Sequence, residues 1–140
     1  MGKINVARVI LGGLLAGLVM NISEYVLNIY VIAEESEAIM QRLGLPPLGN
    51  HQIGIFVAMT FVLGIIAIFV YAAMRPRFGA GVKTAVITAV AFWLLTSVGG
   101  FADMILGIIP ANMFGLTAVW TLVEAVVAIV IGAWLYQESA

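Results

Sequence analysis

The chain has 140 residues, of which 64% are hydrophobic and 9% charged. A soluble domain carries roughly 25% charged residues because its surface must be wetted, so a water-exposed globule is excluded and the missing solvent is lipid. A formal net charge of −1 excludes the basic surface that a nucleic-acid partner requires, and the absence of cysteine excludes disulfides, thiolate chemistry and Cys-ligated metal sites.

The first apolar stretch lies between Arg8 and Glu34, with Glu24 as its one charge. It far exceeds the apolar core of a signal peptide, and no small-residue cleavage site follows it. The next stretch, Ile53 to Met74, carries no charge, and neither does Thr84 to Ala102; Met104 to Gln137 holds only Glu124. A hydrocarbon core of about 30 Å needs about 20 helical residues, and backbone groups in lipid must be paired within a helix. These stretches predict an all-α, single-domain bundle of four transmembrane helices, at about 6–32, 53–74, 82–104 and 112–136. A short amphipathic helix is expected between the first two spans. Glu35 to Leu45 sets Ile39, Met40 and Leu43 against Glu37 and Gln41, the pattern of a connector lying in the headgroups or of a lid. Because no Gly or Pro interrupts Leu18 to Leu43, one continuous long helix is the alternative.

The connections are readable too. Leu45-Pro-Pro-Leu-Gly-Asn50 predicts a turn with Asn50 as the N-cap of the second span. Arg75-Pro-Arg-Phe-Gly-Ala-Gly81 is expected to end that span at its proline. Five of the six Lys and Arg (Lys3, Arg8, Arg75, Arg77 and Lys83) fall on one side, which the positive-inside rule makes cytoplasmic, with both termini there. Trp134, Tyr136 and Tyr71 with its arginines are expected at that interface, and Trp93 and Trp120 lie deep enough to be packing residues. His51 is expected as an interfacial residue at a helix start. A faint match of Ile65–Ala73 to Val126–Trp134 is of a kind that apolar helices give by chance.

Each span carries small and polar residues three and four apart, hence on one face. The first reads Gly13, Gly17, Asn21, Glu24, Asn28; the second Thr60, Gly64, Ala67, Tyr71; the third Thr84, Thr88, Ala91, Thr96, Gly100, Asp103; the fourth Thr117, Thr121, Glu124, Ala128, Gly132. Lipid gives helices no hydrophobic reason to associate, so close backbone approach and interhelical hydrogen bonds must hold them. Gly13, Gly17, Gly64 and Gly132 are the expected packing residues, and Gly13-x-x-x-Gly17 suits a homodimer face equally well.

Glu24, Glu124 and Asp103 fall in the outer half or near the centre, with no Lys or Arg inside a span to neutralise them. A charged carboxylate there costs about 2.5–3.5 kcal/mol on insertion scales. Such acids must therefore be held protonated in a hydrogen-bonded network, bind a cation between them, or meet a partner's basic group. The sequence thus offers a proton or cation site of Glu24, Glu124 and Asp103 with Asn21, Asn28 and Thr121. The functional expectation is a non-enzymatic membrane protein that binds or translocates protons or a small cation. An accessory or assembly subunit docking on another membrane protein, or on a copy of itself, is the alternative. No cofactor or metal-ligand spacing is present.

The segments Asn21-Ile-Ser-Glu-Tyr-Val-Leu-Asn28 and Tyr71-Ala-Ala-Met-Arg-Pro-Arg-Phe-Gly-Ala-Gly-Val-Lys-Thr-Ala85, with the Trp120-x3-Glu124 pattern, resemble a family of small uncharacterised bacterial membrane proteins nearly end to end. The resemblance implies four helices in a bacterial inner membrane and no particular activity, so it transfers no functional residue. In architecture alone, a membrane glutamate in the first helix of a four-span protein is similar to the small multidrug resistance exporters, whose pattern the flanking residues do not match.

Overall fold

A chain this apolar satisfies its backbone internally, and it does so with helices throughout. The computed structural model describes residues 3–138. Helix α1 (Val6–Val26) is extended by a π-helical turn (Leu27–Val31), and α2 (Ala33–Arg42), α3 (Asn50–Phe78), α4 (Val82–Ile105) and α5 (Ala111–Trp134) follow. Among the described residues four helical segments, Val6–Val31, Asn50–Phe78, Val82–Ile105 and Ala111–Trp134, are long and apolar enough to cross a membrane. The protein is a multi-pass four-helix bundle. Its most extensive interface is α1 with α3; α4 with α5 and α1 with α5 come next, and α3 meets α4 less widely.

Several boundaries differ from the sequence expectation, each for a local reason. Asn50 is the first residue of α3 and not its cap; Gly49 takes the cap position without a side-chain hydrogen bond. Pro76 does not end α3, which continues to Phe78. A proline in the last turn removes one backbone donor while its φ still suits a helix. The reversal is made instead by Gly79 and Gly81, at φ 86° and 119°, which only glycine adopts without strain. The continuous helix through Leu43 does not form: the chain leaves helical geometry at Ile32, with φ −118° and ψ 13°.

Helix α2 buries none of its residues. Its last side chain ties it to the bundle, Arg42 Nη2 donating to the carbonyl of Gly107 at 3.2 Å and to that of Ile108. Those carbonyls lie just past the C-terminus of α4, where a cation also meets the negative end of the helix dipole. Arg42→Ala is expected to raise amide hydrogen exchange through α2 while leaving the buried parts of α1, α3 and α5 unchanged.

The packed core occupies one half of the bundle. Buried residues lie within 9–20 on α1, 64–72 on α3, 84–89 on α4 and 125–133 on α5. All of these are near the end that carries the basic residues, here called the basic end. Toward the far end, only Leu27 and Ile32 are buried among the described residues. Composition explains the asymmetry, because the buried set is mainly Gly, Ala and Thr, which let backbones come together. A Cβ on Gly17 would stand 2.8 Å from Phe61 Cα, and one on Gly64 would stand 2.6 Å from the Gly17 nitrogen; Gly13 faces Ile65, and Gly132 faces Gly12 and Ala16. Gly13-x-x-x-Gly17 is therefore covered by α3 of the same chain, so it is not free to serve as a homodimer face.

Tyr71 and Tyr136 stand near the basic end and turn into the bundle, 3% and 5% exposed. Trp134 does stand exposed near the basic end, and His51 is exposed in the first turn of α3.

Candidate functional site

Glu24 lies one turn beyond the last buried residue of α1, and Glu124 directly precedes the first buried residue of α5. Both are half-buried. The two helices that carry them are drawn together where Gly12 meets Gly132, and farther along the same seam the Trp120 indole N–H donates to the Ser23 hydroxyl at 2.9 Å. Ser23 thereby lies beside Glu124, and Glu24 and Glu124 are near enough for their charges to interact. The Trp120–Ser23 bond thus joins α5 to α1 at the level of the two acids.

Glu24 is held from its own helix. Asn28 Nδ2 donates to Glu24 Oε2 at 2.9 Å and to the Glu24 carbonyl at 2.8 Å. Asn28 belongs to the π-helical turn, a local widening that often marks a functional position. One oxygen of Glu24 therefore has a neutral donor. Glu124 Oε2 is shielded and has no hydrogen-bond partner among the described residues. A buried polar atom left unanswered is costly, so this oxygen calls for a proton or a cation.

The other expected site residues are placed differently. Asn21 donates to the Gly17 carbonyl at 2.9 Å and across to the Val57 carbonyl at 3.4 Å, which ties α1 to α3. Thr121 shares the Glu124 face one turn away, but its hydroxyl donates within α5, to Thr117 and Ala118 carbonyls at 2.9 and 3.3 Å. Asp103 is exposed at the far end of α4, where its carbonyl accepts from Ile108 N at 2.8 Å; none of the hydrogen bonds of the acid pair involves it. No three His, Cys, Asp or Glu side chains converge to hold a metal ion among the described residues.

Ser23 and Trp120 join the site although the sequence expectation does not include them. The signal was there, since Ser23 adjoins Glu24 and Trp120 sits four positions before Glu124 on the same helical face. Ser23→Ala is expected to destabilise the bundle by about 1–3 kcal/mol, because it strips the half-buried Trp120 indole N–H of its partner across the seam. Detergent denaturation followed by tryptophan fluorescence measures this; a change below about 0.5 kcal/mol would remove Ser23 from the network.

No protein-family model matches the chain, and no curated protein or solved structure matches it either.

Proposed function

We propose that the protein binds and translocates protons or a small cation, with Glu24 and Glu124 as the coupled site. The observation that supports this reading is a shielded span carboxylate oxygen, Glu124 Oε2, left unanswered at the α1–α5 seam, with a second span carboxylate, Glu24, near enough for the two charges to interact. Their position adds to it. The pair sits on top of the packed half of the bundle, so an occupant reaches it from the less tightly packed far half and is stopped below by residues such as Ile68 and Ile129, both fully buried. By the positive-inside rule the basic end faces the cytoplasm of a bacterial inner membrane, and the acid pair then opens away from it.

Reconstitution in proteoliposomes with a pH- or potential-sensitive dye tests the proposal. The wild-type protein is expected to carry a cation- or proton-linked flux that Glu24→Gln abolishes, while the folded bundle survives. Equal flux in wild type, Glu24→Gln and Glu124→Gln would overturn the reading. A second membrane protein retained at fixed stoichiometry on gentle extraction, with no flux by the chain alone, would favour an accessory subunit instead.

A further inference from the structure

At the basic end, the last turns of α3 meet the short segment that follows α5. The rings of Tyr71 and Tyr136 stand edge to face there, 6.1 Å apart at 88°. The guanidinium carbon of Arg75 lies 5.1 Å from the Tyr136 ring centroid and 6.0 Å from that of Tyr71. Aromatic faces attract a guanidinium, but stacking does not use its N–H donors. Nε and Nη1 of Arg75 are both shielded without a hydrogen-bond partner among the described residues, and so is the hydroxyl of Tyr136. Three polar atoms in one corner of the protein are thus left unanswered.

The nearest anion is the Glu138 carboxylate, 3.8 Å from Nε. That distance gives charge attraction and no hydrogen bond. Glu138 is also the more exposed partner, 33% against 17% for the Arg75 side chain, so it closes the corner from outside. It is the only acid at this end among the described residues, an end that also carries Arg8, Arg77 and Lys83. Arg75 stands in the last turn of a membrane span, at the level where lipid phosphates lie. A guanidinium fork matches a phosphate bidentately, and a phosphate oxygen would also accept from a tyrosine hydroxyl.

We propose that this corner binds a phosphate ester, supplied by an anionic phospholipid headgroup, through Arg75 and Tyr136, and that Glu138 is the group it displaces. The site is independent of the acid pair, and its test does not depend on transport. The purified protein is titrated with phosphatidylglycerol, with a diacylglycerol that lacks the phosphate, and with inorganic phosphate, and bound ligand is read by native mass spectrometry. Phosphatidylglycerol is expected to bind and the diacylglycerol not to. Arg75→Lys keeps the charge but loses the fork and is expected to weaken binding roughly tenfold or more. Arg77→Gln removes a whole charge from an exposed position and is expected to weaken it far less. Glu138→Gln is expected to tighten binding. Arg75-dependent competition by inorganic phosphate would keep the site and move its source to soluble phosphate. Equal losses in Arg75→Lys and Arg77→Gln would mean diffuse charge alone and overturn the proposal. If Arg75→Lys fails to fold, Glu138→Gln decides, and unchanged affinity there overturns it as well.

Discussion

Gly64→Ala is expected to destabilise the bundle by about 2–3 kcal/mol, the upper part of the range for forcing extra atoms into a packed core. The added Cβ would stand 2.6 Å from the Gly17 nitrogen and 2.9 Å from its Cα. Both obstacles are backbone, so no rotamer change relieves the clash, and α1 and α3 must move apart along their most extensive interface. The separation also weakens the neighbouring contacts of Gly13 with Ile65 and of Gly17 with Phe61. The chain supplies its own controls. A Cβ on Gly54, Gly99 or Gly115 meets nothing within 4 Å, although these glycines lie in the same long apolar helices. Alanine there is expected to stay within about 1 kcal/mol of wild type, in the stabilising direction, since glycine is the poorer helix former. Denaturation by increasing mole fraction of a harsh detergent, read by circular dichroism, compares the variants. Equal stability of Gly64→Ala and Gly99→Ala would refute the close approach of α1 and α3.

These glycines also show which parts of the architecture could be read from sequence. Hydrocarbon thickness and backbone satisfaction fix four apolar helices from composition and length alone, and the observed spans fall within a few residues of those expected. The small-residue stripe is legible as a face because helical periodicity is local. Its partner is not local. Nothing in Gly13-x-x-x-Gly17 tells whether the opposing backbone belongs to α3 or to a second molecule, and only the assembled bundle assigns it to Phe61, Gly64 and Ile65. The end of α3 lies beyond its proline because a proline within a last turn costs a single donor, whereas the positive φ of Gly79 and Gly81 makes the reversal.

The acid site was legible to the same extent. Burial cost singles out Glu24 and Glu124 whatever the fold, since each needs an answering group in lipid. Which groups answer depends on helix rotation and crossing. Asn28 was readable because it is one turn from Glu24 on the same helix. Ser23 and Trp120 join the network through a contact between α1 and α5, whose residues are 97 positions apart, and no local pattern encodes that. Asp103 went the other way: proximity in depth suggested it, but α4 holds it at the far end, exposed. Depth along a membrane normal can be counted from sequence, while lateral position within the bundle cannot.

The carboxylate pair yields the second large effect. If Glu24 and Glu124 hold one occupant between them, either single glutamine substitution reduces flux to that of protein-free liposomes, and the double variant is no worse. Glutamine is nearly isosteric, and at Glu24 it keeps a carbonyl oxygen that accepts from Asn28, so the helices keep their arrangement; what it loses is the ability to take up and release a proton or to neutralise a cation. Stability of each single variant is therefore expected to lie within about 1 kcal/mol of wild type, which separates loss of the site from loss of the fold. Groups acting as a unit give this non-additive pattern, and independent groups do not. Asp103→Asn, outside the pair, is expected to leave flux unchanged. Partial losses that multiply in the double variant would mean two separate sites and no shared occupant. A loss in Asp103→Asn equal to that in Glu24→Gln would place the transported charge along α4 instead of the α1–α5 seam.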